Sequence, residues 1–211
     1  MPENALYLMD PITDDPEFEG FGFGEAAMSL RNPGEPLGFD FGPDDIQTKG
    51  RAWTVTRMAS MWTPQPVLGR VQPHNDYPCV NLTIPAFSRR AVDALRDFLE
   101  PNGELLPLVS PVGEYYAYNI TTVVDILDHE RSEIEWYNEK HDIALHISRY
   151  ECLPGKLTGL SIFRLVEKPA YPFVHQVFVD RVRQHGLREF HFKRLWPLRG
   201  GVGGGDSTKD G

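Results

Sequence analysis

The chain has 211 residues, 41% of them hydrophobic and 24% charged, and a formal net charge of −9. That length suits one full-sized domain or two small lobes sharing a core, and the balance of apolar to charged residues excludes wholesale disorder. The apolar runs are a few residues long, against the roughly 18 needed to span a bilayer, and MPENALYLMDPITDD has neither a basic start nor a sustained apolar stretch, so membrane insertion and export are not expected and the cytosol is.

ALYLM at residues 5–9 has strand propensity. From Asp10 to Gly50 prolines and glycines recur too often for a long regular element, yet Phe18, Phe21, Phe23, Phe39 and Phe41 are too many rings for a free linker, so several should pack on the domain. Trp53-Thr-Val55-Thr alternates like a strand, as do Val80, Leu82 and Ile84. Ser88 offers an N-cap to a helix whose apolar face is Val92, Leu95, Phe98 and Leu99, and Pro101-Asn-Gly103 should stop it. Strands are expected over 104–109 and 115–120. Thr122-Val-Val-Asp125 has the form of a capping box and predicts a short helix from Val123 to Glu130.

Further strands are expected around Ile134 and Trp136, over 143–147, where Ile143, Leu145 and Ile147 alternate with Ala144 and His146 and share one face, and over 161–166, then a helix carrying Val179 and Val182 and a last strand from Phe190 to Pro197. Val179, Asp180, Val182 and Arg183 repeat the spacing of Val92, Asp93, Leu95 and Arg96 at a displacement of 87 positions, and each helix is followed by a Gly and then a strand. Strands with about three short helices and no regular alternation predict an α+β fold with a mixed or mostly antiparallel sheet, built from two related strand-helix-strand lobes. The expected organisation is an N-terminal strand and acidic irregular segment over 1–79, packed on an α+β domain over 80–198, with a flexible Gly-rich tail over 199–211.

Residues 1–50 hold eleven acids and two bases and so account for the whole net charge; beyond them the signs balance. Such a field repels phosphate backbones and anionic membranes, so neither is an expected partner, and it attracts basic protein surfaces. The acids either solvate a Gly/Pro-rich loop or meet such a surface; in the second case Asp14, Asp15, Glu17, Glu19, Asp44 and Asp45 are the candidate contacts.

Motifs for catalysis are missing. GGVGGG in the tail has no following Lys-Ser/Thr and no helix, and Gly20-Phe-Gly22-Phe-Gly24 has the wrong spacing for a dinucleotide fingerprint. His129-Glu130-Arg-Ser-Glu133 lacks the second histidine that completes a zinc bite, so Asp125, Asp128, His129 and Glu130 read as solvated polar residues at a helix end. No Gly-x-Ser-x-Gly elbow occurs. His146, His185 and His191 each have a structural explanation, and Cys79 and Cys152 read as buried reduced thiols. No metal or other cofactor is expected. Of the adjacent Tyr115 and Tyr116, one must face outward in a single-sided sheet.

The succession IPAFSRRAVDALRDFLEPNGELLPL, YYAYNITTVVDILDHERSEIEWY, SIFRLVE and VDRVRQHGLREFHFKRLWP resembles the immunity protein family numbered eleven among bacterial polymorphic-toxin immunity proteins, over about residues 80–198. The resemblance implies an intracellular protein, encoded beside a toxin gene, that protects its producer by binding the toxin, and it brings no catalytic residues with it.

Two readings of function follow. In the first, a non-enzymatic protein occludes a toxin with a basic surface, the acidic segment imitating the phosphates that a nuclease-like toxin grips. In the second, a hydrolase reverses a modification made by the toxin, using some of His146, His175, His185 and His191 with a carboxylate; two or more of these would then have to share one pocket. A structural domain with no toxin partner is the third possibility.

Overall fold

The computed structural model describes residues 4–11, 20–23, 46–49, 52–55, 57–69, 75–80, 84–137, 139 and 143–197. In chain order the elements begin with β1 (Leu6–Pro11), β2 (Gly22–Phe23), β3 (Ile46–Lys49), β4 (Ala52–Val55), β5 (Gln65–Leu68) and β6 (Ala86–Ser88). They continue with α1 (Arg89–Asn102), β7 (Gly103–Val109), β8 (Tyr115–Ile120), β9 (Val123–Val124), β10 (Glu133–Trp136) and β11 (Ala144–Arg149). The last are β12 (Ile162–Leu165), β13 (Lys168–His175), α2 (Gln176–Gln184) and β14 (Phe190–Trp196).

The internal repeat read from the sequence has a structural counterpart. β6 and β7 both pair antiparallel with β8, so they run parallel to each other and α1 crosses over β8 to join them. In the same way β13 and β14 flank β1, with α2 as the crossover. Each unit is a split strand-helix-strand motif with an antiparallel strand inserted at its centre. Sheet one runs β14-β1-β13-β12-β9 and sheet two β2-β5-β7-β8-β6, mostly antiparallel, with parallel joins at β12–β9 and β5–β7. This is the expected α+β class, with two helices among the described residues.

The helices form where the apolar spacing put them. Ser88 Oγ accepts from the Ala91 N–H at 3.1 Å and caps α1, while Asn102 Nδ2 donates to the Phe98 carbonyl at 2.9 Å and closes its last turn. Val92, Leu95 and Leu99 of α1 are buried with Phe178, Val179 and Val182 of α2, between Tyr7 and Met9 of β1 and Tyr118 and Ile120 of β8. Arg181 fastens the two helices: its guanidinium donates to Asp97 at 2.8 Å and lies 4.6 Å from the Phe98 ring centre. The outer face of sheet two buries Val67, Leu106, Leu108, Tyr115 and Ala117 with Phe21 and Met58. The outer face of sheet one buries Leu6, Phe163, Leu165 and Phe173 under Ala144 and Ile147 of the β10–β11 hairpin.

Four expectations are corrected. Residues 123–130 are not helical. The Thr122 and Val124 carbonyls accept from the Arg164 and Val166 N–H groups at 2.9 and 3.2 Å, and Thr122 Oγ1 is bonded to Asn102 at 2.9 Å instead of capping; a parallel pairing suits the β-branched Val123-Val124 better than a helix. Val80 and Ile84 exchange both backbone hydrogen bonds, at 2.8 and 3.0 Å, so the chain reverses there instead of running on as a strand.

In β11 a register shift opposite Glu135 and Trp136 breaks the alternation, leaving Leu145 exposed and Ala144 buried with Ile147. Both faces of β8 are covered, so Tyr115 is buried and Tyr116 half-buried rather than one of them facing solvent. Cys79 and Cys152 are free and buried, and burial pushes both thiols up to about 12, away from any reactive thiolate.

Candidate functional site

The loss of the expected helix at 123–130 rearranges the polar residues assigned to it. After β9 the chain bridges Leu127 to Cys152 and then turns tightly, with Asp128 Oδ1 accepting from the Glu130 and Arg131 N–H groups at 3.1 and 3.2 Å. That turn carries His129 toward the β12–β13 turn, where Glu167 is held by its own backbone: its carbonyl accepts from the Ala144 N–H at 2.9 Å. His129 Nε2 lies 2.5 Å from Glu167 Oε1, and the ligand atoms of Asp125, His129 and Glu167 all lie within 4.8 Å of one another.

The cluster is asymmetric in burial. The Glu167 side chain is 1% exposed and that of His129 40%. Burial raises the Glu167 carboxyl above the usual carboxylate range, and the His129 contact works against that rise. Glu167 Oε2 is buried and has no hydrogen-bond partner among the described residues. The Trp136 ring meets His129 edge-on at 5.3 Å and fixes the imidazole from the hairpin side. Glu130 is exposed and outside the cluster, and Glu133 pairs instead with Arg149 at 3.0 Å. Glu167 stands 38 positions from His129, which is why motif spacing could not find it.

Two concavities are lined by other described residues. A groove of about 260 Å³ on the outer face of sheet one is lined by Leu8, His146, Tyr150, Lys168, Tyr171 and Lys193 among others, with no carboxylate among the described residues of its wall. At its edge Lys168 Nζ donates to the Leu145 carbonyl at 2.7 Å and sits 5.5 Å from the Tyr171 ring centre, leaving Leu145 and Tyr171 54% and 46% exposed. A larger cavity, of about 960 Å³, opens beside the helices and includes Asp97, Ser161, His175, Asp180 and Arg181.

The four histidines of the hydrolase reading do not share either concavity. His146 is in the groove and His175 in the cavity, while His185 ends α2 and His191 stands across from Asp10 in the β1–β14 pair. Asp14, Asp15, Glu17, Glu19, Asp44 and Asp45 lie outside the described residues, as does the Gly-rich tail.

His175 has a structural task. Its Nδ1 accepts from the Val177 N–H at 3.4 Å, capping α2, so Nε2 carries the proton and donates to Asn4 Oδ1 at 3.0 Å. Burial lowers its pKa, against a smaller opposing pull from Asp180. A histidine whose folded pKa is depressed leaves stability in place above its unfolded value, about 6.5, and loses it as pH falls toward the folded value. Thermal melts of wild type and His175→Asn at pH 7.5 and 5.5 should therefore converge in acid, because asparagine caps without titrating.

No curated protein matches the chain. The resemblance read from the sequence is borne out from β7 to β14, where residues 106–195 match the model of the Immunity protein family (Imm11).

Proposed function

We propose that this protein binds and neutralises a bacterial toxin inside the producing cell, by occlusion and without turning over a substrate. The observation that carries the reading is the match of residues 106–195 to the Immunity protein family (Imm11). The separation of His146 from His175 supports binding over hydrolysis. No described helix is long and apolar enough to cross a membrane.

Two parts of the molecule suit two parts of the task. The acidic first 50 residues, with Asp14, Asp15, Glu17, Glu19, Asp44 and Asp45, supply the field that steers a basic toxin toward the complex, which acts mainly on the association rate. The exposed Leu145 and Tyr171 beside the groove supply apolar area with a polar rim, the composition in which binding energy concentrates.

The test is co-expression with the toxin encoded beside the gene. Wild type should restore growth. Neutralising the six acids to Asn and Gln should slow association about tenfold or more at low salt and flatten its salt dependence. Leu145→Ala with Tyr171→Ala should speed dissociation instead. Full protection with unchanged kinetics from the six-fold variant would remove the acidic segment from the mechanism. A complete lack of protection by wild type would end the immunity reading.

A further inference from the structure

We infer that Asp125, His129 and Glu167 form a binding site for a divalent transition-metal ion of the zinc type. Three separate stretches of chain deliver the donors: the residue after β9, the turn before β10 and the β12–β13 turn. Their ligand atoms already lie within 4.8 Å of one another. Three donors about 2.0–2.2 Å from one zinc ion stand about 3–3.5 Å apart, so the site needs a small contraction at Asp125 and no change of fold.

The second observation is the Glu167 carboxylate. It is 1% exposed, one oxygen meets His129, and the other has no hydrogen-bond partner among the described residues. Buried charges are ordinarily paired or bound to metal, and a cation held between Asp125 and His129 would neutralise this one. The donor set narrows the ion. An imidazole nitrogen favours zinc and its transition-metal neighbours over calcium and magnesium, and the two carboxylates offer nothing to a soft, thiolate-seeking ion. Three protein ligands leave at least one coordination position for water or a side chain from a partner protein.

His129 Nε2 and Glu167 Oε1 are joined by a hydrogen bond of 2.5 Å. Coordination through Nε2 would move the hydrogen-bonding proton off that nitrogen, to Nδ1 or to solvent, and would part the two atoms. His129 is 40% exposed, which gives the ion a way in, and the edge of Trp136 at 5.3 Å from the ring places a fluorophore beside it.

The experiment titrates the metal-free full chain with zinc chloride by calorimetry, following Trp fluorescence in parallel and magnesium as the comparison ion. One zinc per chain is expected, with a change in fluorescence absent from Trp136→Phe, and magnesium affinity at least a hundredfold weaker. The melting temperature should rise by about 5–10 °C at zinc a hundredfold above its Kd. Asp125→Asn and His129→Gln, which leave the buried carboxylate in place, should each weaken zinc at least tenfold, while His146→Gln and His191→Gln should not. Zinc binding of equal strength in Asp125→Asn and His129→Gln, or no binding at millimolar zinc, would overturn the site.

Discussion

Replacing Phe178 with alanine should cost about 3–5 kcal/mol, the range for emptying an aromatic side chain from a packed core. Phe178 is fully buried on α2 and meets Phe98 of α1 at 6.1 Å and both Phe190 and Phe192 of β14 at 6.4 Å. The cluster continues through Phe190 to Tyr77 at 4.9 Å and Phe87 at 6.1 Å, so one ring joins the two split units. For a chain of this size each kcal/mol moves the melting temperature by about 2–4 °C, and a fall of about 6–20 °C is expected. Phe178→Leu, which refills most of the volume, should recover more than half of it. A drop below about 3 °C for the alanine variant would mean that the helices are not joined through this ring.

Asp76→Ala should be nearly as severe for an electrostatic reason, at about 3 kcal/mol. The buried carboxylate accepts from Ser88 Oγ at 2.6 Å, from the Arg188 N–H at 2.9 Å and from Arg90 Nη1 at 3.1 Å. Ser88 is the cap of α1 and Arg188 lies between α2 and β14, so one side chain ties the helix start of one unit to the helix exit of the other. Most of the loss should come from the Ser88 and Arg188 bonds, because the Arg90 side chain is 53% exposed and its ion pair is screened by solvent. Denaturant unfolding checks this: Asp76→Ala should lower the midpoint strongly, and Arg90→Ala by less than half as much.

Local chemistry sufficed for the elements whose interactions are local. The Ser88 cap, the Val92–Leu99 face, the Gly103 stop and the strands over 103–109, 115–120 and 190–196 depend on neighbours in sequence, and each is found where periodicity put it. The 87-residue repeat was legible for the same reason, since both helices must bury the same stripe. Residues 122–125 depart from their local pattern because a capping box is only an offer to the backbone. Arg164 and Val166, some forty positions away, made the better one.

Composition and local pattern account for the α+β class, the two related units, the burial of the cysteines and the placement of all excess negative charge in the first 50 residues. Long-range contacts alone make β1, from the far end of the chain, the strand around which the second unit closes, and bring Glu167 to His129 and Asp125. The physical reason is the same in both cases. Pairing of strands and convergence of polar side chains are set by contacts between residues distant in the chain, and no pattern confined to a few neighbouring positions records them.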